Sequence, residues 1–322
     1  MRQFAKPTIV VSKCLEFDAC RYNGEMIPDV TIRNLQPFVT FIPVCPEVEI
    51  GLGTPRETIR IVEENGENRL VQPSTREDVT EKMEQFSNDF LQTISDVDGF
   101  ILKNRSPSCG TRDVKIYSGF EKAPVKGKGS GLFGGAVIKK FSHLPIEEEG
   151  RLSNFIIREH FFTRLFTIAY YKMIKHNKNM KELVSFQSDN KYLFMAYNQV
   201  KQKELGRIIA NHKNEKIEVV FENYEKTLYE LFMRTPRYTS NVNVCEHIFG
   251  YFKTKLKKQE KDHFIELLQK YAEKKIPLSS LLTILKSWAI RFDEKYLLRQ
   301  TYFEPYPEAL VEISDSGKGR DY

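Results

Sequence analysis

The 322-residue chain is 41% hydrophobic and 29% charged, a balance that fits a folded soluble protein and excludes a disordered one. No apolar run approaches the roughly 20 residues needed to cross a bilayer and no signal-peptide core is present, so a cytoplasmic protein without a membrane partner is expected. Residues 1–150 carry 19 Lys and Arg against 22 Asp and Glu, and residues 151–322 carry 30 against 21; this is the charge division of a catalytic unit joined to a polyanion-binding one, or of a lysine-rich helical surface.

Thr8 to Ser12 is a β-branched run that reads as a buried strand and leads into Cys14. Phe38 to Val44 repeats the pattern before Cys45, and Phe100 to Leu102 begins a third unit that ends in the SPSCG turn holding Cys109. Between the second and third runs, Asp78 or Thr80 caps an expected helix through Ile94. Alternation of strand and helix predicts a Rossmann-like parallel α/β layer, with the three cysteines at the sheet edge where ligands collect. Gly127 to Gly135 reads as a flexible turn, but it lacks the Gly-Lys-Ser/Thr ending of a phosphate-binding loop.

The PIEEEG segment, 145–150, marks the expected domain boundary. Beyond it the pattern is helical, with a long aromatic-rich helix from Phe155 to Met173 and further helices over 190–211, 217–234, 241–257, 260–274 and 279–296. The expected organisation is α/β: a parallel-sheet domain over 1–145, an all-helical basic domain over 151–313, and a disordered tail over 314–322. His160, His247 and His263 show no zinc spacing, and Glu246-His247 lacks the second histidine of a zinc protease helix.

Five cysteines are too few and too odd in number for a disulfide framework, and four of them precede residue 110. Cys14, Cys45 and Cys109 could hold a [4Fe-4S] cluster with one open iron, or zinc. They could equally be buried thiols acting as small hydrophobes, or include a nucleophile. Cys20 is a possible fourth ligand or a neighbouring thiol. Glu47, two residues after Cys45, is placed to act as a general base, and Ser106 and Ser108 to donate to a substrate or relay a proton. Turn capping and backbone satisfaction are the structural alternatives for these three. Arg21, Tyr22, Asn23, Arg56, Lys103 and Arg105 are expected substrate contacts on a base edge or a phosphate.

VSKCLEFDACRYNG at 11–24, PVCPEVEIGLGTPR at 43–56 and KNRSPSCG at 103–110 together resemble the thiouracil and 4-thiouridine desulfidase family. NKYLFMAYNQVKQKELGRI at 190–208, NVCEHIFGYFKTKL at 243–256, IPLSSLLTILKSWAIRF at 276–292 and QTYFEPYP at 300–307 resemble the helical domain commonly fused behind it. The resemblance implies a [4Fe-4S] cluster as cofactor, held by Cys14, Cys45 and Cys109. It also implies hydrolytic, non-redox desulfuration of 4-thiouridine in tRNA to uridine, with release of sulfide. Two alternatives stand beside that reading: the same reaction on free thiouracil or 4-thiouridine monophosphate, and a non-catalytic RNA-binding protein with a structural metal site. The partner expected is tRNA or a thiolated nucleotide, with no DNA, and Lys201, Lys203, Arg207, Lys253, Lys255 and Lys257 are the expected phosphate contacts. Tyr192, Tyr197, Tyr238, Phe249, Tyr251 and Phe252 read as core in preference to base-stacking platforms.

Overall fold

The computed structural model describes residues 2–94, 96–120, 123–211 and 214–312. The expected disordered tail over 314–322 lies outside the described residues. In chain order the first elements are β1 (Thr8–Ser12), α1 (Val30–Leu35), β2 (Thr40–Val44), α2 (Pro46–Glu49), β3 (Arg60–Glu64), β4 (Glu67–Gln72) and β5 (Glu77–Asp78). They are followed by α3 (Thr80–Thr93), β6 (Gly99–Leu102), β7 (Val114–Tyr117), β8 (Val125–Gly129), α4 (Leu132–Phe141), β9 (Ile146–Glu148) and α5 (Glu149–Leu152). Helices then take over: α6 (Phe155–Asn177), α7 (Met180–Asp189), α8 (Lys191–Tyr197), α9 (Gln199–Ala210), α10 (Ile217–Leu231), α11 (Tyr238–Phe249), α12 (Lys258–Ala272), α13 (Leu278–Arg291) and α14 (Lys295–Leu298).

Contacts divide the chain into two compact units, one running to Ala169 and resuming at Ala309, the other Tyr170–Glu308. The division thus falls inside α6, while the 145–150 segment supplies a strand to the first unit. The first unit is mixed α/β and the second largely helical, the fold class that the strand and helix patterns predicted.

In the first unit, β2, β1, β6 and β9 form a wholly parallel four-stranded sheet in that order. Strand β1 is central, and Ile9, Val10 and Val11 are fully buried. Such a strand reads as a continuous apolar run because both of its faces are covered. A second sheet, in the order β5-β4-β3-β7-β8, is not apparent from apolar alternation. Its β3–β4 hairpin turns on Asn65 and Gly66, both at positive φ, the two-residue turn whose twist matches antiparallel strands. Helix α3 begins where Asp78 Oδ1 accepts from the Thr80 amide at 2.9 Å.

The second unit packs around Tyr171, Phe194, Tyr224, Phe232, Phe252 and Phe264. The single helix expected over 190–211 is two helices. Asn198 leaves helical backbone at φ −159 and caps α9 with its side chain, accepting from the Val200 and Lys201 amides. Asparagine competes for backbone groups in this way, which explains why the apolar periodicity ran through a break.

Candidate active site

Parallel pairing of β2, β1 and β6 sets their carboxyl ends side by side. The ladder continues past β1, where the Lys13 amide donates to the Val44 carbonyl at 2.8 Å and the Lys103 amide donates to Ser12 Oγ at 2.9 Å. Cys14, Cys45 and the SPSCG loop therefore leave the sheet at one edge. Cys45 and Cys109 are buried and Cys14 is half-buried. Burial, reinforced by Cys45, pushes the Cys14 thiol up to about 12, and burial likewise lifts Cys109 well above the usual thiol range.

Glu47 lies in the first turn of α2, which Pro46 opens. One carboxylate oxygen accepts from Arg56 Nε at 2.9 Å and from Arg56 Nη2. The other accepts from Ser108 Oγ and, at 3.4 Å, from Ser106 Oγ. The two serine hydroxyls are 3.1 Å apart, and Ser106 Oγ also receives the Cys109 amide at 3.0 Å. The three residues expected to carry acid and base chemistry are brought together, and both Glu47 and Cys14 bear electrostatically on Cys109.

Arg56 is placed differently from expectation. Its side chain is 4% exposed, and its guanidinium donates to the Cys20 and Gly53 carbonyls at 2.9 Å each, as well as to Glu47. It holds the site's carboxylate in place. Lys103 is likewise committed to Glu149 and to the Asn104 carbonyl. Arg21, Tyr22 and Asn23 lie on a tight turn closed by the Gly24 amide donating to the Arg21 carbonyl, with the Arg21 guanidinium 5.5 Å above the Tyr22 ring. Tyr22, Asn23 and Arg105 are exposed.

Two features of the site were hidden in the sequence. The glycine-rich stretch that runs into α4 permits close packing: a Cβ on Gly131 would lie 2.5 Å from the Ser108 carbonyl, and one on Gly134, in the first turn of α4, would lie 2.4 Å from that of Gly110. Without those side chains, the Gly131, Leu132 and Gly134 amides donate to carbonyls of Gly110, Pro107 and Ser108. The run of glutamates after Pro145 turns inward. Glu148 and Glu149 are buried and accept from backbone on either side of the SPSCG loop. Three successive glutamates read as a solvated boundary, and only the neighbouring strand signal of Ile146 hinted otherwise.

In the second unit, Lys201 is paired with Glu204 at 2.9 Å and Glu230 at 2.5 Å, and Lys255 with Glu294. Lys203, Arg207, Lys253 and Lys257 are exposed. Tyr192, Phe249 and Phe252 are core residues. Cys245 is a buried thiol beside Tyr302, 3.9 Å from its hydroxyl.

Residues 9–149 match the family model described as 2-thiouracil desulfurase, and residues 191–307 match a model described as a protein of unknown function, DUF1722. The uncharacterized protein YbbK of Bacillus subtilis (strain 168) is 35% identical over 129 residues, covering 38% of this chain and 84% of that protein. The chain belongs, through its N-terminal domain, to the 2-thiouracil desulfurase family. The uncharacterized protein YbgA of Escherichia coli (strain K12) is 23% identical over 156 residues, 48% of this chain and 92% of that protein. A solved structure of the [4Fe-4S]-dependent thiouracil desulfidase TudS aligns with 26% identity and a TM-score of 0.37, covering 46% of this chain and 93% of that one.

Family resemblance implied a [4Fe-4S] cluster on Cys14, Cys45 and Cys109, and the side chains do not fit it. Among the described residues, no group of three or more His, Cys, Asp or Glu is arranged to hold a metal ion. The physical reason lies in the separate partners of the thiols: Cys45 Sγ donates to the Cys20 carbonyl at 3.8 Å, and Cys109 is hydrogen-bonded to Ser12. Soft-metal ligation needs thiolates converging on one point. This corrects the iron-sulfur assignment and the cluster-dependent desulfuration of 4-thiouridine in tRNA. It equally corrects the variant of that reaction on thiouracil or the monophosphate, and the RNA-binding protein with a structural metal.

Proposed function

We propose that the N-terminal domain binds a thiolated pyrimidine of the thiouracil class, and that Glu47 and Ser108 together move a proton at its thioamide edge. The observation that carries this reading is the doubly anchored Glu47 carboxylate at the carboxyl edge of the parallel sheet. Arg56 fixes one oxygen, and the other faces two hydroxyls from a loop about sixty residues away. Ligands of open α/β sheets bind at that edge. A carboxylate reached through a hydroxyl can accept a proton from a ring N–H and return it to sulfur. Membership of the 2-thiouracil desulfurase family supports the substrate class.

Thione and thiol tautomers of a thiopyrimidine differ in near-ultraviolet absorption, so proton transfer from nitrogen to sulfur on binding is visible without turnover. Titration of the full chain with 2-thiouracil at neutral pH is expected to displace the thione band. Glu47→Gln is expected to keep the ligand but not the displacement. Absence of any 2-thiouracil binding by the native chain overturns the reading.

For the second domain we infer polyanion contacts, of the kind RNA backbone would supply, at Lys203, Arg207, Lys253 and Lys257. Lys201 and Lys255 already face carboxylates, which leaves them less charge to offer a phosphate. The excess of basic over acidic residues beyond residue 150 supports this assignment.

A further inference from the structure

We infer that Glu148 is a positioning residue that fixes the far end of the loop carrying Ser106, Ser108 and Cys109. A carboxylate at 4% exposure is costly unless its oxygens accept hydrogen bonds. Glu148 Oε1 accepts three: from the Thr111 amide at 2.7 Å, the Thr111 hydroxyl at 2.9 Å and the Arg112 amide at 3.2 Å. All three donors sit immediately after Cys109 and Gly110. Glu149 does the same at the near end, taking the Asn104 amide at 2.7 Å together with Lys103 Nζ.

Both carboxylates hang from the edge of the parallel sheet, because β9 pairs with β6 through Leu102 and Glu148. Strand β6 feeds the loop at Lys103, and strand β9 ends at the residue that catches the loop at Thr111. Adjacent strands thereby set the separation of the two loop ends. Between those ends, the loop's own hydroxyls reach Glu47. Removing the Glu148 carboxylate would release one end only, leaving β6, β9 and the contacts of Glu149 at the near end intact.

That this loop serves a thiolated pyrimidine rests on the reading above; the clamp is tested without that ligand. The chain carries its own reporters, since Cys109, Cys20 and Cys245 are 6%, 4% and 0% exposed. Native full-length protein, Glu148→Ala and Glu148→Gln are labelled with iodoacetamide over time, and each cysteine is quantified by mass spectrometry. In Glu148→Ala, alkylation of Cys109 is expected to rise about tenfold while Cys20 and Cys245 stay unchanged, the signature of local opening. Glu148→Gln keeps an acceptor oxygen and is expected to restore most of the protection. Thr111→Val, which removes one donor and leaves the buried charge, is expected to raise Cys109 labelling by about threefold. Unaltered Cys109 labelling in Glu148→Ala and Thr111→Val overturns the assignment. So does a parallel rise at all three cysteines, which would mark a general loss of stability. Failure of 2-thiouracil to bind the native protein would remove the functional reading and leave this labelling pattern as it stands.

Discussion

Arg56 Nε donates to Glu47 Oε2 across 2.9 Å, and the arginine side chain is 4% exposed. The same guanidinium ties down the Cys20 and Gly53 carbonyls, so one side chain unites α2 with the loops before and after it. Arg56→Ala leaves the Glu47 carboxylate without its cationic partner and the part-buried Cys20 carbonyl without this donor. Losing one member of a buried pair costs about 3–5 kcal/mol, and urea denaturation is expected to show a loss of that order. Arg56→Lys keeps the charge but not the planar fork and is expected to recover only part of it.

Gly134 and Gly206 are both helical, yet alanine is expected to act on them in opposite directions. At Gly134 the added Cβ would meet the Gly110 and Cys109 carbonyls at 2.4 and 2.5 Å, so Gly134→Ala is expected to cost about 1–3 kcal/mol through overpacking. At Gly206 nothing lies within 4 Å, and Gly206→Ala is expected to add up to about 1 kcal/mol of helix stability. Thermal melting of the two variants checks both signs.

Burial, with Arg164 nearby, pushes the His160 imidazole down from 6.5 to about 3. The folded protein therefore keeps His160 neutral where the unfolded chain protonates it. Stability is expected to fall as pH drops from about 6.5 towards about 3, by at most about 1.4 kcal/mol per pH unit from this group. His160→Gln is expected to flatten that part of the curve. Equal slopes for native and variant chains between pH 4 and about 6.5 would show that another group governs it.

Phosphate contacts reveal themselves in salt dependence. Lys203→Ala combined with Arg207→Ala is expected to reduce the slope of log affinity for RNA against log salt by about 1.5. Lys201→Ala combined with Lys255→Ala, which removes cations already paired with Glu230 and Glu294, is expected to leave the slope near its native value. Fluorescence anisotropy across a salt series measures both.

Patterning made the parallel sheet legible because β1 is buried on both faces and so appears as an unbroken apolar run. It made Glu47, Ser106 and Ser108 legible because each adjoins a cysteine at a strand end. The second sheet is hidden because β3 and β4 carry consecutive polar residues, Glu63-Glu64 and Glu67-Asn68-Arg69, at their hairpin end and show no apolar alternation; the Asn65-Gly66 turn is its visible signal. Arg56 was assigned to a ligand because an arginine after a Gly/Pro turn gives no sign of burial. Glu148 and Glu149 were passed over because three glutamates in a row resemble a solvated linker, and only strand pairing turns two of them inward. The three cysteines gather at one edge as their positions suggested, but Cys45 and Cys109 take up hydrogen bonds with the Cys20 carbonyl and Ser12 that no spacing encodes.

Because β1 is the inner strand, its two flanks are completed at very different moments of chain growth. Its pairing with β2 needs only the first 44 residues, whereas its pairing with β6 waits for residue 99 and the outer strand for residue 146. An N-terminal fragment ending before β6 would therefore present an apolar, unpaired backbone edge to its surroundings, the hazard that makes nascent parallel sheets prone to association.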